Sequence, residues 1–245
     1  MTKMSGVPSA FYTAQYDLSG DIGALGSLSI TRAVGDVTGL AVAGTERVTL
    51  RADAEISYTG WWNPAAAAGV PVLWDLSGSD IVTTYAAGLT IGCKAASLVG
   101  NRASFAAQRG ADGSLVTSGQ VQASGGHPLE WGRLLTTPGK QPFASAASGT
   151  YIDRGVGSAS NYGLAAYLHA FALTSGTAVV TVQDSADHSA WDAVIAFTAV
   201  TGATSERKQT SLTENVRRYL RIDVSGTFTG LVLAVNAVPY RIAQV

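Results

Sequence analysis

The chain has 245 residues, of which 47 % are hydrophobic and only 13 % charged, a length that suffices for one large β domain or two small domains. Sixteen Lys and Arg against seventeen Asp and Glu leave a net charge of −1. Because a dedicated nucleic-acid binder typically has a basic excess, this charge excludes that class of protein. The single cysteine, Cys93, excludes an intramolecular disulfide framework and a cysteine-based zinc cluster.

The first half of the chain is predicted to be mostly β-strand with one helix. Between residues 47 and 59 the even positions are mostly apolar and the odd positions polar or charged, which predicts a long strand, or a strand pair broken near Asp53. Asn63, followed by a proline, is typical of a helix start and predicts a helix over 64–76, which Pro71 shortens or kinks. Further strands are predicted over 81–86, 97–107 and 114–123.

A segment rich in proline, glycine, serine and alanine separates the two halves. It covers residues 136–149 and carries little apolar bulk, as linkers do. We predict a domain boundary there, with one domain over residues 1–143 and a second over 144–245.

The second half shows the clearest alternation of apolar and polar residues. Within 217–224, Leu220 and Ile222 fall on one face and Tyr219 and Arg221 on the other, as in a half-buried strand. A turn is predicted at 225–227, and the neighbouring strands over 164–171, 177–183, 191–197 and 231–237. We therefore predict an all-β fold with one short helix, in which a β-sandwich or barrel precedes a small antiparallel β-sandwich.

No catalytic or metal-binding signature is present in the sequence. Asp187, His188 and Ser189 have the residue types of a hydrolase triad, but adjacent residues point in different directions, so a polar turn is predicted. The other histidines, His127 and His169, lie too far apart in sequence to suggest a metal site. We predict neither an enzyme nor a bound cofactor or metal.

Several segments resemble the major tail proteins of long-tailed bacteriophages that infect actinobacteria. In the first half these are YDLSGDIGAL (16–25), AEISYT (54–59), RGADGS (109–114) and LEWG (129–132). In the second half VTVQDS (180–185), FTAV (197–200) and RYLRI (218–222) are similar to the small sandwich domain often appended to phage virion proteins. The resemblance covers most of the chain.

This resemblance implies a structural virion protein that is assembled in the host cytoplasm. Such subunits form rings, commonly of six copies, which stack into a tail tube through which DNA passes without specific binding, and which contact other tail proteins. The low charge of the chain agrees with an oligomer and with a channel to which DNA does not adhere. No apolar run is long enough for a membrane-spanning helix, so no membrane partner is expected. On this interpretation Arg47, Arg51, Asp53 and Glu55 face the lumen.

Two other functions stay open from the sequence. A carbohydrate- or host-surface-binding module would need an exposed aromatic platform, for which Trp191 and Tyr219 are the candidates. Because the strand face that carries Tyr219 lacks a row of aromatic residues, we expect no measurable glycan affinity. A capsid decoration protein is the second alternative.

Overall fold

A computed structural model describes residues 8–41, 43–76, 78–124 and 126–240. These residues form seventeen strands and one short helix, which confirms the predicted all-β class. The elements are β1 (Ala10–Thr13), β2 (Tyr16–Asp17), β3 (Ile22–Asp36), β4 (Arg47–Trp61), α1 (Gly69–Asp75), β5 (Ile81–Ala86), β6 (Lys94–Arg109), β7 (Leu115–Ala123), β8 (Glu130–Leu134), β9 (Gln141–Phe143), β10 (Ala147–Ser148), β11 (Ile152–Asp153), β12 (Leu164–Ala172), β13 (Ser175–Ser185), β14 (Asp192–Ala196), β15 (Thr204–Gln209), β16 (Tyr219–Thr229) and β17 (Leu231–Pro239).

The strands form two antiparallel sheets. The larger, of twelve strands, runs in the order β15-β12-β17-β8-β6-β5-β1-β2, with β7, β4 and β3 branching from β6 and β9 pairing with β17. In the smaller, five-stranded sheet β10 and β11 both pair with β16, which is followed by β13 and β14. A branch of this kind gives the molecule a second sheet surface, built from β6, β7, β4 and β3.

The main hydrophobic core lies between the two sheets. Leu220 and Ile222 of the smaller sheet and Leu168 and Val235 of the larger sheet are fully buried in one cluster. Burying side chains of this size stabilises the fold by about 1.5–3 kcal/mol each. The alternation predicted for residues 217–224 therefore corresponds to the inner face of a sandwich.

The larger sheet continues across the predicted domain boundary. Strand β8 pairs with β17 through Leu134 and Asn236, and β9 pairs with it through Phe143 and Leu231. The ranges 1–143 and 144–245 thus contribute strands to the same sheet and side chains to the same core. The division of the chain into those two domains stays a prediction, and the shared sheet couples them.

The helix is shorter than predicted and begins later. It starts at Gly69, after Ala68, instead of at Pro64. Asn63, where the helix was expected to start, donates from Nδ2 to Asp21 Oδ1 at 2.7 Å and accepts from the Ala65 N–H at 3.2 Å. Pro71 lies in the first turn, where its missing N–H costs no helical hydrogen bond. No helix among the described residues has the length and apolarity needed to cross a membrane.

Strand β4 is a single unbroken strand, so the alternative of a break near Asp53 is wrong. The turn predicted at 225–227 is also wrong, because β16 continues to Thr229 and the chain turns at Gly230. Gly230 has φ +63°, and a Cβ there would lie 2.3 Å from Thr174 Oγ1, so the turn requires glycine.

Candidate assembly surface and aromatic cluster

The longest strand pair, β3–β4, extends beyond the rest of the sheet as a hairpin. The two strands pair from Ile22 and Gly60 to Asp36 and Arg47. Strand β7 pairs with β4 only from Glu55 onward. The outer part of the hairpin, residues 30–53, therefore has two strands only among the described residues, an arrangement that is marginal in water on its own.

The outer part of this hairpin exposes aliphatic side chains on its strands and in the connection between them. They are about half exposed or more: Ile30 and Val34 of β3, Val37 and Leu40 of the connection, and Val48 and Leu50 of β4. Further along β4, Ile56 and Tyr58 continue the face of Val48 and Leu50 into a buried core beneath α1. The apolar face thus extends beyond the body of the subunit, where nothing in the described chain covers it.

The opposite face of β4 carries the four residues predicted to line a lumen. Arg47, Arg51 and Asp53 are exposed and Glu55 is half-buried, and all four occupy odd positions of the same strand. The Glu55 carboxylate accepts hydrogen bonds from Ser27 Oγ at 3.0 Å and from the Gln120 amide. The structure places these side chains together on one face, and their position in a lumen stays a prediction.

Uncharged polar residues continue this face across the neighbouring strands. In register with Glu55, Ser57 and Thr59 of β4, strand β7 presents Gln122, Gln120 and Ser118. The alternate residues of β7, Thr117, Gly119 and Val121, are buried. One side of the branch is therefore core and the other is a polar surface of hydroxyl and amide groups with few charges.

Both edges of this four-stranded branch are unpaired among the described residues. At one end, β3 pairs only with β4. At the other end, β6 pairs with β5 no further than Gly100, and residues 102–109 pair only with β7. Two open edges on one sheet expose backbone N–H and C=O groups that can pair with another chain.

The two residues predicted as a surface platform, Trp191 and Tyr219, meet through a third ring. Tyr151 lies 6.0 Å from Trp191 and 5.6 Å from Tyr219 between ring centroids. His188 stacks on Tyr151 at 5.4 Å with an interplanar angle of 10° and meets Tyr219 edge-on at 5.2 Å. We call Tyr151, His188, Trp191 and Tyr219 the aromatic cluster. Within it Tyr219 is buried, Trp191 is half-buried and Tyr151 is 41 % exposed, so Tyr219 is not itself an exposed platform.

Two arginines of β16 and its approach border the aromatic cluster. The Arg221 guanidinium lies 4.2 Å from the centroid of the Trp191 ring, and its Nε donates to Gln183 Oε1 at 2.8 Å. The Arg218 guanidinium lies 4.8 Å from the Tyr219 ring and pairs with Asp153 at 2.5 Å. Hydrogen bonds from Arg218 lower the pKa of the Asp153 carboxyl to about 2.

The loop between β13 and β14 holds His188 in position. Asp187 Oδ1 accepts hydrogen bonds from the backbone N–H groups of Ser189 (2.9 Å) and Ala190 (3.1 Å), and these bonds lower the pKa of the carboxyl. His188 itself adopts a left-handed conformation with φ +55°, which is uncommon for a residue with a side chain. The Asp187 carboxylate therefore serves the turn and not a catalytic triad, in agreement with the sequence interpretation. The described residues contain no group of three or more His, Cys, Asp or Glu that could hold a metal.

No sequence pattern marks Tyr151 and His188 as members of the cluster. Tyr151 lies in a segment without periodicity, and His188 lies in a turn, so only the fold brings them together.

No protein-family model and no curated protein matches the chain. The crystal structure of SPP1 Dit (gp 19.1), described as a paradigm of the hub adsorption apparatus in phages that infect Gram-positive bacteria, is 10 % identical with a TM-score of 0.36, over 94 % of this chain and 99 % of that one. A chain of the phage P2 baseplate in its activated conformation with Ca is 10 % identical with a TM-score of 0.35, over 96 % and 99 %. At these values the likeness assigns neither a fold nor a function to the chain.

Proposed function

We propose that the chain is a structural subunit of a bacteriophage tail, and specifically a tail tube subunit that assembles into stacked rings around a DNA channel. The observation that carries this proposal is the four-stranded branch β3-β4-β7-β6, with an open edge at each end and an apolar hairpin beyond the body. The resemblance of segments such as 16–25 and 54–59 to major tail proteins supports the same role.

Open edges favour assembly through strand pairing between copies of the chain. Strand β3 has fifteen residues, a length at which an uncovered edge with apolar side chains promotes aggregation. The partner edge on β6 differs from β3, so pairing between copies is head-to-tail, and such a contact forms a closed ring when the rotation between copies closes. Covering Leu50 and its apolar neighbours in the same contact adds the burial that holds the ring together.

The polar face of the branch suits the wall of a DNA channel. Arg47 and Arg51 are balanced by Asp53 and Glu55, and the neighbouring strand adds amides and hydroxyls. A basic wall would bind phosphates and retain DNA, because each neutralised phosphate adds to the affinity. A nearly neutral polar wall lets the duplex slide, so we assign these four residues to the lumen.

Electron microscopy and mass photometry of the purified chain test the proposal. We expect rings or tubes for the natural sequence and monomers for Leu50→Glu, since a charge in the apolar contact is costly to bury. The matched control is Val156→Glu, which places the same charge at an aliphatic residue that is 89 % exposed and lies far along the chain in a loop. Val156→Glu should unfold at the temperature of the natural chain, and Leu50→Glu should lose the stabilisation that assembly provides but still melt cooperatively as a folded monomer.

Monomers of the natural chain at every concentration would contradict the proposal, as would rings that persist in Leu50→Glu. If rings form, a density map decides the lumen assignment: Arg51 and Asp53 on the outer wall of the ring would overturn it.

A further inference from the structure

The smaller sheet has an outward face that the proposed role in a tube does not use. Alternation along β16 buries Leu220 and Ile222 in the core and directs Tyr219 and Arg221 to the opposite side. The aromatic cluster lies on that side, so its rings add nothing to the main core between the sheets.

The cluster is assembled from three separate segments. Tyr151 precedes β11, His188 and Trp191 belong to the β13–β14 loop, and Tyr219 begins β16. The loop keeps a non-glycine residue, His188, at φ +55° so that its ring stacks on Tyr151. Backbone strain of this kind persists only where the surroundings enforce it, here through the hydrogen bonds to Asp187.

The polar groups beside the rings are arranged to donate and accept hydrogen bonds. The Arg221 guanidinium lies over the Trp191 ring, and its Nε donates to Gln183 Oε1. Among the described residues nothing hydrogen-bonds the two terminal nitrogens of Arg221, which leaves two parallel donors beside an aromatic surface. On the same strand Asp223 accepts a hydrogen bond from Ser148 Oγ at 2.5 Å and offers a second carboxylate oxygen.

The charge around the cluster narrows the class of ligand. Arg218 is paired with Asp153, and the single Arg217 with both Asp184 and Asp192. With Arg221, Asp223 and the Asp187 of the loop, three arginines stand against five aspartates, so the surroundings are net negative and attract neither an anionic polymer nor an anionic membrane surface. A sugar ring matches better, because it combines an apolar face for an aromatic ring with adjacent hydroxyls for a forked donor.

From this geometry we propose that the aromatic cluster with Arg221 is a binding site for a neutral pyranose sugar of a cell-surface polysaccharide. Tyr151, which is exposed, and Trp191 stack on the sugar, while Arg221 donates to two neighbouring hydroxyls. The expectation of no glycan affinity assumed that Tyr219 stood without further aromatic residues on its face, and the structure places three more rings beside it.

The test is an array of defined neutral oligosaccharides built from glucose, galactose, rhamnose and N-acetylglucosamine, probed with the full chain and followed by calorimetric titration of any sugar that binds. We expect saturable binding of at least one sugar and a loss of affinity of about tenfold or more in Trp191→Ala and in Tyr151→Ala, since each removes a stacking surface. The matched control, Trp131→Ala, removes a tryptophan of β8 that is 47 % exposed and outside the cluster, and should bind as the natural chain does.

Trp191→Phe distinguishes loss of the stacking surface from misfolding. It keeps an aromatic ring and should therefore retain more affinity than Trp191→Ala. No saturable binding by the natural chain overturns the proposal, and so does binding that is unchanged in both alanine variants. Ring assembly is measured separately by microscopy and should be the same in all these variants, so this proposal and the proposed tail function fail independently.

Discussion

At the scale of single residues, His169 links the two halves of the chain through buried polar contacts. Its Nδ1 lies 2.7 Å from the carbonyl oxygen of Ala14 and its Nε2 lies 2.8 Å from Thr84 Oγ1. A carbonyl can only accept, so Nδ1 carries the proton and Nε2 accepts from the threonine hydroxyl. Complete burial lowers the pKa of His169 from 6.5 to about 4. The ring is therefore neutral in the folded protein at neutral pH.

This histidine predicts a pH dependence of stability. Between pH 6.5 and about 4 the unfolded chain binds a proton at this position and the folded chain does not, so stability that is present above pH 6.5 is lost as the pH falls. The loss approaches about 3 kcal/mol for the whole shift. Urea unfolding between pH 7 and pH 4.5 measures it, and His169→Gln should flatten the slope. The control is His127→Gln, at a less buried histidine, which should keep most of the slope of stability against pH. Equal slopes in His169→Gln and the natural chain would contradict the prediction.

At the scale of elements, an ion pair connects strands that are distant in sequence. Arg207 of β15 pairs with Glu130 of β8 at 3.0 Å, and both side chains are less than a tenth exposed. The hydroxyls of Tyr167 and Tyr240 donate to the same carboxylate. Burial and the charge of Glu130 raise the pKa of Tyr167, which keeps this hydroxyl protonated as a donor.

Removing the arginine from this network should be costly. Arg207→Ala leaves the Glu130 carboxylate buried without its counter-charge, and we expect a loss of about 3–5 kcal/mol in the free energy of unfolding. Its neighbour supplies the control, since Lys208 forms an exposed pair with Glu206 at 3.4 Å and Lys208→Ala should cost less than about 1 kcal/mol. Urea unfolding of both variants at pH 7 gives the comparison. Similar losses in the two variants would mean that the buried ion pair contributes no more to stability than the exposed one.

Elements were predictable from the sequence where one side of a strand is buried and the other is not. Strand β4 and the start of β16 follow the alternation because their inner residues, such as Ile56 and Ile222, enter a core. The end of β16 differs from the prediction because the predicted turn at 225–227 rests on Gly226, a residue type common in turns. In the structure a Cβ at Gly226 would lie 2.4 Å from the Thr177 carbonyl oxygen, so this glycine permits close pairing with β13 and not a reversal of the chain.

The candidate surfaces were only partly predictable from the sequence. The four charged residues of β4 could be assigned to one face from spacing alone, and the structure keeps them there. The open edges of the branch could not be predicted, because they depend on where β5 stops pairing with β6. Long-range pairing of this kind leaves no local pattern in the sequence.

At the scale of the whole molecule, the two halves of the chain depend on each other through β17. This strand lies between β12 and β8 in the larger sheet and also pairs with β9. Leu134 and Leu135, at the end of the first half, are fully buried, and Leu135 lies in the core that the second half builds. Residues 136–149 therefore have the composition of a linker, although the chain on both sides of them belongs to the sheet.

The full chain should consequently unfold in one cooperative transition, and a chain that ends at Phe143 should not fold cooperatively. The shorter chain loses β12 and β17, which exposes Leu134 and Leu135 and removes the sheet partner of β8. Differential scanning calorimetry measures the number of transitions, and circular dichroism during heating shows whether the shorter chain melts cooperatively. A chain that ends at Tyr240 is the matched control, since it keeps every described strand and should melt as the full chain does. Two separate transitions in the full chain, together with a soluble shorter chain that melts sharply, would instead establish two independent domains with the boundary predicted from composition.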